Sequence, residues 1–127
     1  MSLKQSATRV SVYDPIAELV RVNPVPSIIV EMQTLSIVLV NEAAIALLGY
    51  TEEELVRRPI TDLVPMEDVA AVEKAADEPP PEGETRWRCF RKDGTILYVK
   101  VRYRETVYEG QRARFVVASE TSLTPFE

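Results

Sequence analysis

Histidine is absent from the 127 residues, and cysteine occurs once, at Cys89. Without histidine this chain supplies no imidazole general base, no His-ligated haem, no His-containing zinc site and no phosphoaccepting histidine. A single cysteine excludes an internal disulfide and leaves a four-thiolate metal cluster out of reach. The four glycines are scattered, so no phosphate-cradling loop is present. No apolar run approaches the roughly 20 residues of a membrane-spanning helix. The longest are pieces such as Ile28-Ile29-Val30 and Ile37-Val38-Leu39-Val40. The first five residues, Met1-Ser2-Leu3-Lys4-Gln5, lack the apolar stretch of a signal peptide, so the expected location is the cytoplasm. Any enzyme here would run on carboxylates, Lys, Tyr, Ser or Thr alone. Glu52, Glu53, Glu54, Asp62, Glu67, Asp68 and Glu73 sit where caps and helix surfaces favour acids, and no spacing pairs two of them in an apolar pocket. Ser27, Ser36 and Ser119 lack a nucleophile motif. A non-enzymatic module is expected.

What is present is the material of one domain: 46% apolar and 28% charged residues, enough to bury a core. The net charge of -5 is unevenly laid out. Residues 31–84 carry thirteen acids against three bases, and residues 86–114 carry nine bases against three acids. Such a layout reads either as two solvated faces or as a bipolar surface that docks on a second copy or an oppositely charged neighbour.

Residues 13–22 read as a short helix, with Asp14 as N-cap and Pro15 at the first helical position. Val12, Ile16, Leu19 and Val20 form its apolar stripe, which covers the domain's own sheet or packs on a second copy. Residues 27–32 and 35–40 read as a β-hairpin. Asn41 caps a helix over 42–48, with Gly49 as its left-handed C-cap, and Thr51-Glu52-Glu53-Glu54 has capping-box spacing. Residues 60–63 give one more turn and 66–76 a helix whose inner side is Val69, Val72 and Ala76. Strands are expected over 84–91, 95–106 and 111–120, joined at Asp93-Gly94 and Glu109-Gly110. Alternation puts Trp87, Cys89, Leu97, Val99, Val101, Tyr103, Ala113, Phe115 and Val117 on a core face. It puts Arg86, Arg88, Tyr98, Lys100, Arg102, Arg104, Arg112 and Arg114 on a cationic outer face, with Phe90, Ile96 and Val116 as apolar exceptions there.

Two stretches carry a family likeness. One runs from Asn23-Pro24-Val25-Pro26 through Val40-Asn41-Glu42-Ala43-Ala44 to Leu47-Leu48-Gly49-Tyr50-Thr51-Glu52-Glu53-Glu54-Leu55. The other is Arg91-Lys92-Asp93-Gly94-Thr95 followed by Tyr98-Val99-Lys100-Val101, and Val64-Pro65-Met66-Glu67-Asp68 lies between them. In this order and spacing the set resembles a PAS domain over about residues 23–121. Arg57 stands where that family commonly has glycine, and Glu120-Thr121-Ser122 stands for its closing Asp-Ile-Thr. The resemblance implies an α+β fold: a five-stranded antiparallel sheet in the order 2-1-5-4-3, with short helices on one face and an N-terminal flanking helix. It implies three parts: residues 1–22 as an N-terminal extension with that helix, 23–121 as the PAS-like domain, and 122–127 as the start of a linker to an output module.

The resemblance also implies a sensor of a small ligand or partner, or a dimerisation module, in a bacterial signalling protein such as a sensor histidine kinase or cyclic-di-GMP regulator. The apolar positions that would line a pocket are Val30, Leu39, Leu47, Leu63, Val72, Trp87, Val99, Val101 and Phe115; Val12, Ile16, Leu19 and Val20 would form the dimer contact. The cofactor is unknown. A covalent flavin–cysteine site is argued against because residues 42–76 contain no cysteine, and a His-ligated haem because there is no histidine; a non-covalent flavin, an apolar metabolite or no ligand at all stays open. Cys89 and Trp87 read first as core filling. The expected partners are a second copy, a possible small-molecule ligand and the output module, with no membrane insertion in this segment. The competing function is a ligand-free structural dimerisation or protein-interaction domain. Single-stranded nucleic acid on the basic face, with Tyr98 stacking a base, is a remote third, disfavoured by a pI near 4.9.

Overall fold

The computed structural model describes residues 15–78 and 84–127. Val12 and Asp14, expected in the stripe and cap of the first helix, lie outside the described residues. The elements run α1 (Pro15–Val22), β1 (Ser27–Glu31), β2 (Ile37–Val40), α2 (Glu42–Leu48), α3 (Glu52–Leu55), 3-10 turns at Ile60–Leu63 and Met66–Asp68, α4 (Val69–Asp77), β3 (Thr85–Phe90), β4 (Ile96–Tyr108) and β5 (Gln111–Ser122). All five strands form one sheet in the order β2-β1-β5-β4-β3, each pair antiparallel. The segment expected as one helix over 66–76 opens as a 3-10 turn, with Pro65 O accepting from Asp68 N, before α4 proper begins.

Local chemistry explains the boundaries. Asn41 caps α2, Gly49 closes it at φ 83°, and Thr51 and Glu54 exchange the two bonds of a capping box around α3. Asn41 does more than cap. Its Oδ1 accepts from Ala44 N and Ser27 N, each at 3.0 Å. Its Nδ2 donates to Val20 O, Asn23 O and Val25 O at 2.8–3.2 Å, so two amide hydrogens serve three carbonyls. One buried side chain thereby ties the end of α1, the entry to β1 and the start of α2 together.

The sheet carries an apolar cluster on each face. On the inner face Ile37, Val40, Ala44, Leu48, Leu55, Leu63, Leu97 and Val99 form the main core under α2, α3 and the first 3-10 turn. On the other face Ile29, Leu39 and Ala113 form a second core with Ala17 and Val20 of α1, flanked by Ile16 and Phe115. This corrects the assignment of β5. The two-residue turn Glu109-Gly110 makes Tyr108 pair with Gln111, so an odd-numbered residue of β4 faces an even-numbered one of β5: Tyr103 opposite Val116, Glu105 opposite Arg114. Paired residues share a face. Ala113, Phe115 and Val117 therefore alternate toward α1's side, and Arg114 and Val116 toward the inner side. A register shift between Lys100 and Val101 restores the other parity toward the end of β5. The stripe of α1 is corrected too: Val20 is 0% exposed and Leu19 is 59% exposed, so Ile16, Ala17 and Val20 carry the contact with the chain's own sheet.

The acidic and basic halves meet inside the fold. Arg88 reaches round the edge strand β3 to Asp68, and Lys92 reaches Glu54, both at 2.8 Å. The other edge strand, β2, is covered by the chain after α3: Ile37 N donates to Arg58 O and Arg57 N to Ile37 O. To reach this position Arg57 adopts φ 77°. That conformation costs a side-chain-bearing residue about 1–2 kcal/mol, against about 0.5–1 kcal/mol of extra chain entropy for glycine. Arg57→Gly should accordingly raise stability by about 0.5–1 kcal/mol, seen as a higher urea midpoint at unchanged slope; a lower midpoint would refute it.

Candidate functional site

Between the inner sheet face, the 3-10 turn Ile60–Leu63 and α4 lies a cavity of about 190 Å³. The sheet contributes Ile28 and Val30 from β1, Thr85, Trp87 and Cys89 from β3, Val101 and Tyr103 from β4, and Arg114 and Val116 from β5. Val72, Ala75 and Ala76 of α4 close it from the helix side. The cavity exists because α4 presents alanines where its inner side meets the sheet: small side chains hold the helix fold without filling the space.

Of the residues expected to line a pocket, Val30, Leu63, Val72, Trp87 and Val101 meet here. Val99 is buried in the main core beside the cavity, and Leu47 packs on that core and faces a separate surface groove with Leu97 and Thr121. Leu39 and Phe115 belong to the second core under α1, on the far side of the sheet, for the parity reason given above.

Arg114 and Arg88 are lining residues that pattern reading put outside, and Arg114 is the more deeply buried of the two. It is only 8% exposed. Its Nε pairs with Glu105, its two terminal nitrogens donate to Ala75 O and Ala76 O at 3.0 and 3.3 Å, and its guanidinium lies 4.9 Å from the Tyr103 ring centre. It thus caps the C-terminal carbonyls of α4, where a cation is favoured. The signal in the sequence was the length of the Glu109-Gly110 turn, which fixes parity. The second arginine on the wall, Arg88, is committed: it bonds Asp68 in bidentate fashion at 2.8 and 2.9 Å, with Glu67 3.5 Å away. That pair holds Asp68 below its usual carboxylate range, chiefly through the Arg88 hydrogen bonds.

The cavity's size bounds what it can hold. An apolar cavity of about 150 Å³ accepts benzene, so about 190 Å³ accepts one ring with a short substituent. Cys89 is no attachment point: it stands on β3, and burial pushes its thiol up to about 11. Among the described residues no group of three or more His, Cys, Asp or Glu side chains is placed to hold a metal ion, and no helix is long and apolar enough to cross a membrane.

On the opposite face the basic row is partly covered. Phe126 lies against Lys100 and Arg86, 4.7 and 5.8 Å from its ring centre, while Arg102 and Arg104 stay exposed.

Comparison with known proteins agrees with this architecture. The PAS fold family matches residues 16–119. A PAS domain of an HTR-like protein from Haloarcula marismortui is 21% identical, with 91% of this chain and 92% of that one covered and a TM-score of 0.67. One from a Desulfitobacterium hafniense protein is 21% identical over 78% of this chain and 94% of that one, at 0.70. One from a two-component sensor histidine kinase is 16% identical over 84% and 93%, at 0.68. No curated protein matches by sequence. Five strands in the order 2-1-5-4-3, short helices on the inner face and a family match over most of its length lead to one assignment: the chain belongs to the PAS family.

Proposed function

We propose that the chain is a non-enzymatic sensory module of a signal-transduction protein, in which a small, largely apolar molecule enters the cavity under α4. The observation that carries this reading is the cavity itself, a space large enough for one ring beside the main core. Protein interiors are close-packed, and a void of this size costs stability unless something occupies it. A ligand there would favour one packing of α4 on the sheet. The change would reach β5 through Arg114 and Val116, and β5 continues to Ser122, beside the chain's C-terminal segment. The likeness to a PAS domain of a two-component sensor histidine kinase supports a signalling context with an output module. The competing reading, a ligand-free dimerisation domain, is favoured by the apolar residues α1 leaves exposed, Leu19 and Val22.

Native mass spectrometry of the purified chain separates the two. The sensory reading expects a small-molecule adduct, or adduct formation with single-ring probes. It also expects Val72→Phe, which fills the cavity, to abolish that adduct while leaving far-UV circular dichroism intact. A bare mass that takes up no probe would remove the sensory reading.

A further inference from the structure

We infer that the cavity selects a compact monocarboxylic acid, with an apolar body of about one ring, whose carboxylate takes the place of Glu105 on Arg114. The inference rests on the sensory reading above and adds the chemical class of the ligand. Arg114 is a buried cation on a mostly apolar wall, and a buried charge requires a counter-ion. Among the described residues its carboxylate partner is Glu105, from the adjacent strand, and the Glu105 side chain is 49% exposed. The present counter-ion is therefore half in water and can turn outward with little loss of solvation. The other arginine on the wall is not exchangeable in this way, because Asp68 holds it with two bonds.

The donor count agrees. A guanidinium has five N–H groups, and among the described residues Arg114 places three: one on Glu105, one on Ala75 O and one on Ala76 O. A carboxylate arriving in place of Glu105 has the Nε–H and a further N–H to meet, which suits its two oxygens. Arg114 keeps its hold on the α4 carbonyls throughout. The volume agrees as well: benzene occupies a cavity of about 150 Å³, and the remainder of the 190 Å³ accommodates a carboxylate. A neutral molecule of the same size would leave the Arg114–Glu105 pair in place and gain only apolar burial. The cavity thus distinguishes an acid from its neutral analogue by a swap of counter-ions.

The test is calorimetric and NMR titration of the whole chain with benzoate and with toluene. The wild-type chain should bind benzoate. Glu105→Gln, which removes the competing charge but keeps a hydrogen-bond acceptor for Nε, should tighten benzoate about tenfold and leave toluene within twofold. Arg114→Met should weaken benzoate by at least about tenfold with toluene again unmoved; Arg114→Lys serves if the methionine variant unfolds. Toluene binding without benzoate binding, or a Glu105→Gln variant that binds benzoate no better, overturns the acid selection while the cavity remains a ligand site. Binding of neither probe overturns both.

Discussion

Replacing Asn41 by alanine is expected to lower the unfolding free energy by about 3–5 kcal/mol, a large share of the stability of a domain this size. The figure follows from the partners left behind. Loss of the N-cap bond to Ala44 N costs about 1 kcal/mol. Ser27 N is buried and loses its acceptor, at about 1–3 kcal/mol. Val20 O, Asn23 O and Val25 O lose a shared donor, and the first lies at the end of the helix covering the second core. Asn41→Asp separates the cap from the junction. It retains the acceptor for Ala44 N and Ser27 N but turns a carboxylate oxygen toward three carbonyls. Burial and those carbonyls disfavour its charged form, so its folded-state pKa lies above the unfolded value. Stability of that variant is then present below the unfolded carboxylate pKa and lost as pH rises through the folded one. Urea unfolding at pH 7 should show both variants strongly destabilised, and lowering the pH toward 4 should recover stability in the aspartate variant relative to the alanine one. A loss below about 1 kcal/mol in Asn41→Ala would leave the residue an ordinary cap and sink the junction role.

Asn41 also marks how far a sequence speaks. Its place before Glu42 and its capping geometry are local, set by three residues, and were legible; its reach to Val20, Asn23 and Val25 spans the chain and was not. The same division holds elsewhere. Gly49, the Thr51–Glu54 box and the strand order were legible, the first two from spacing and the last through family likeness. The facing of β5 depends on whether the turn at Glu109-Gly110 contains two residues or three, and one residue of difference inverts every side chain beyond it. Apolar alternation at Ala113, Phe115 and Val117 was real, but it serves a second core that the pattern alone assigns to no partner. Hence Leu39 and Phe115 left the candidate pocket, and Arg114 entered it. The cavity had no signature except the alanines of α4, which read equally well as helix formers.

The second core supplies the other large effect. Val20→Asp places a carboxylate where the side chain is fully enclosed among the apolar side chains of Ile29, Leu39 and Ala113. An uncompensated buried charge costs about 3–5 kcal/mol, and the lost valine burial adds about 1.5 kcal/mol. The total is capped, however, by the free energy of lifting α1 off the sheet, because the chain can hydrate the new charge that way. The expected outcome is a destabilised domain with α1 undocked, its β-sheet circular dichroism retained, and Ile29, Leu39 and Phe115 exposed to a hydrophobic dye. Leu19→Arg, one residue earlier in the same helix, should change stability by no more than about 0.5 kcal/mol because Leu19 already faces solvent. Its effect would appear in sedimentation instead. If a second copy packs on Leu19 and Val22, the arginine shifts the chain toward monomer, whereas an unchanged sedimentation coefficient removes that face from any dimer. Equal destabilisation by the two substitutions would contradict the seating of α1, in which Val20 is enclosed by the second core and Leu19 faces solvent.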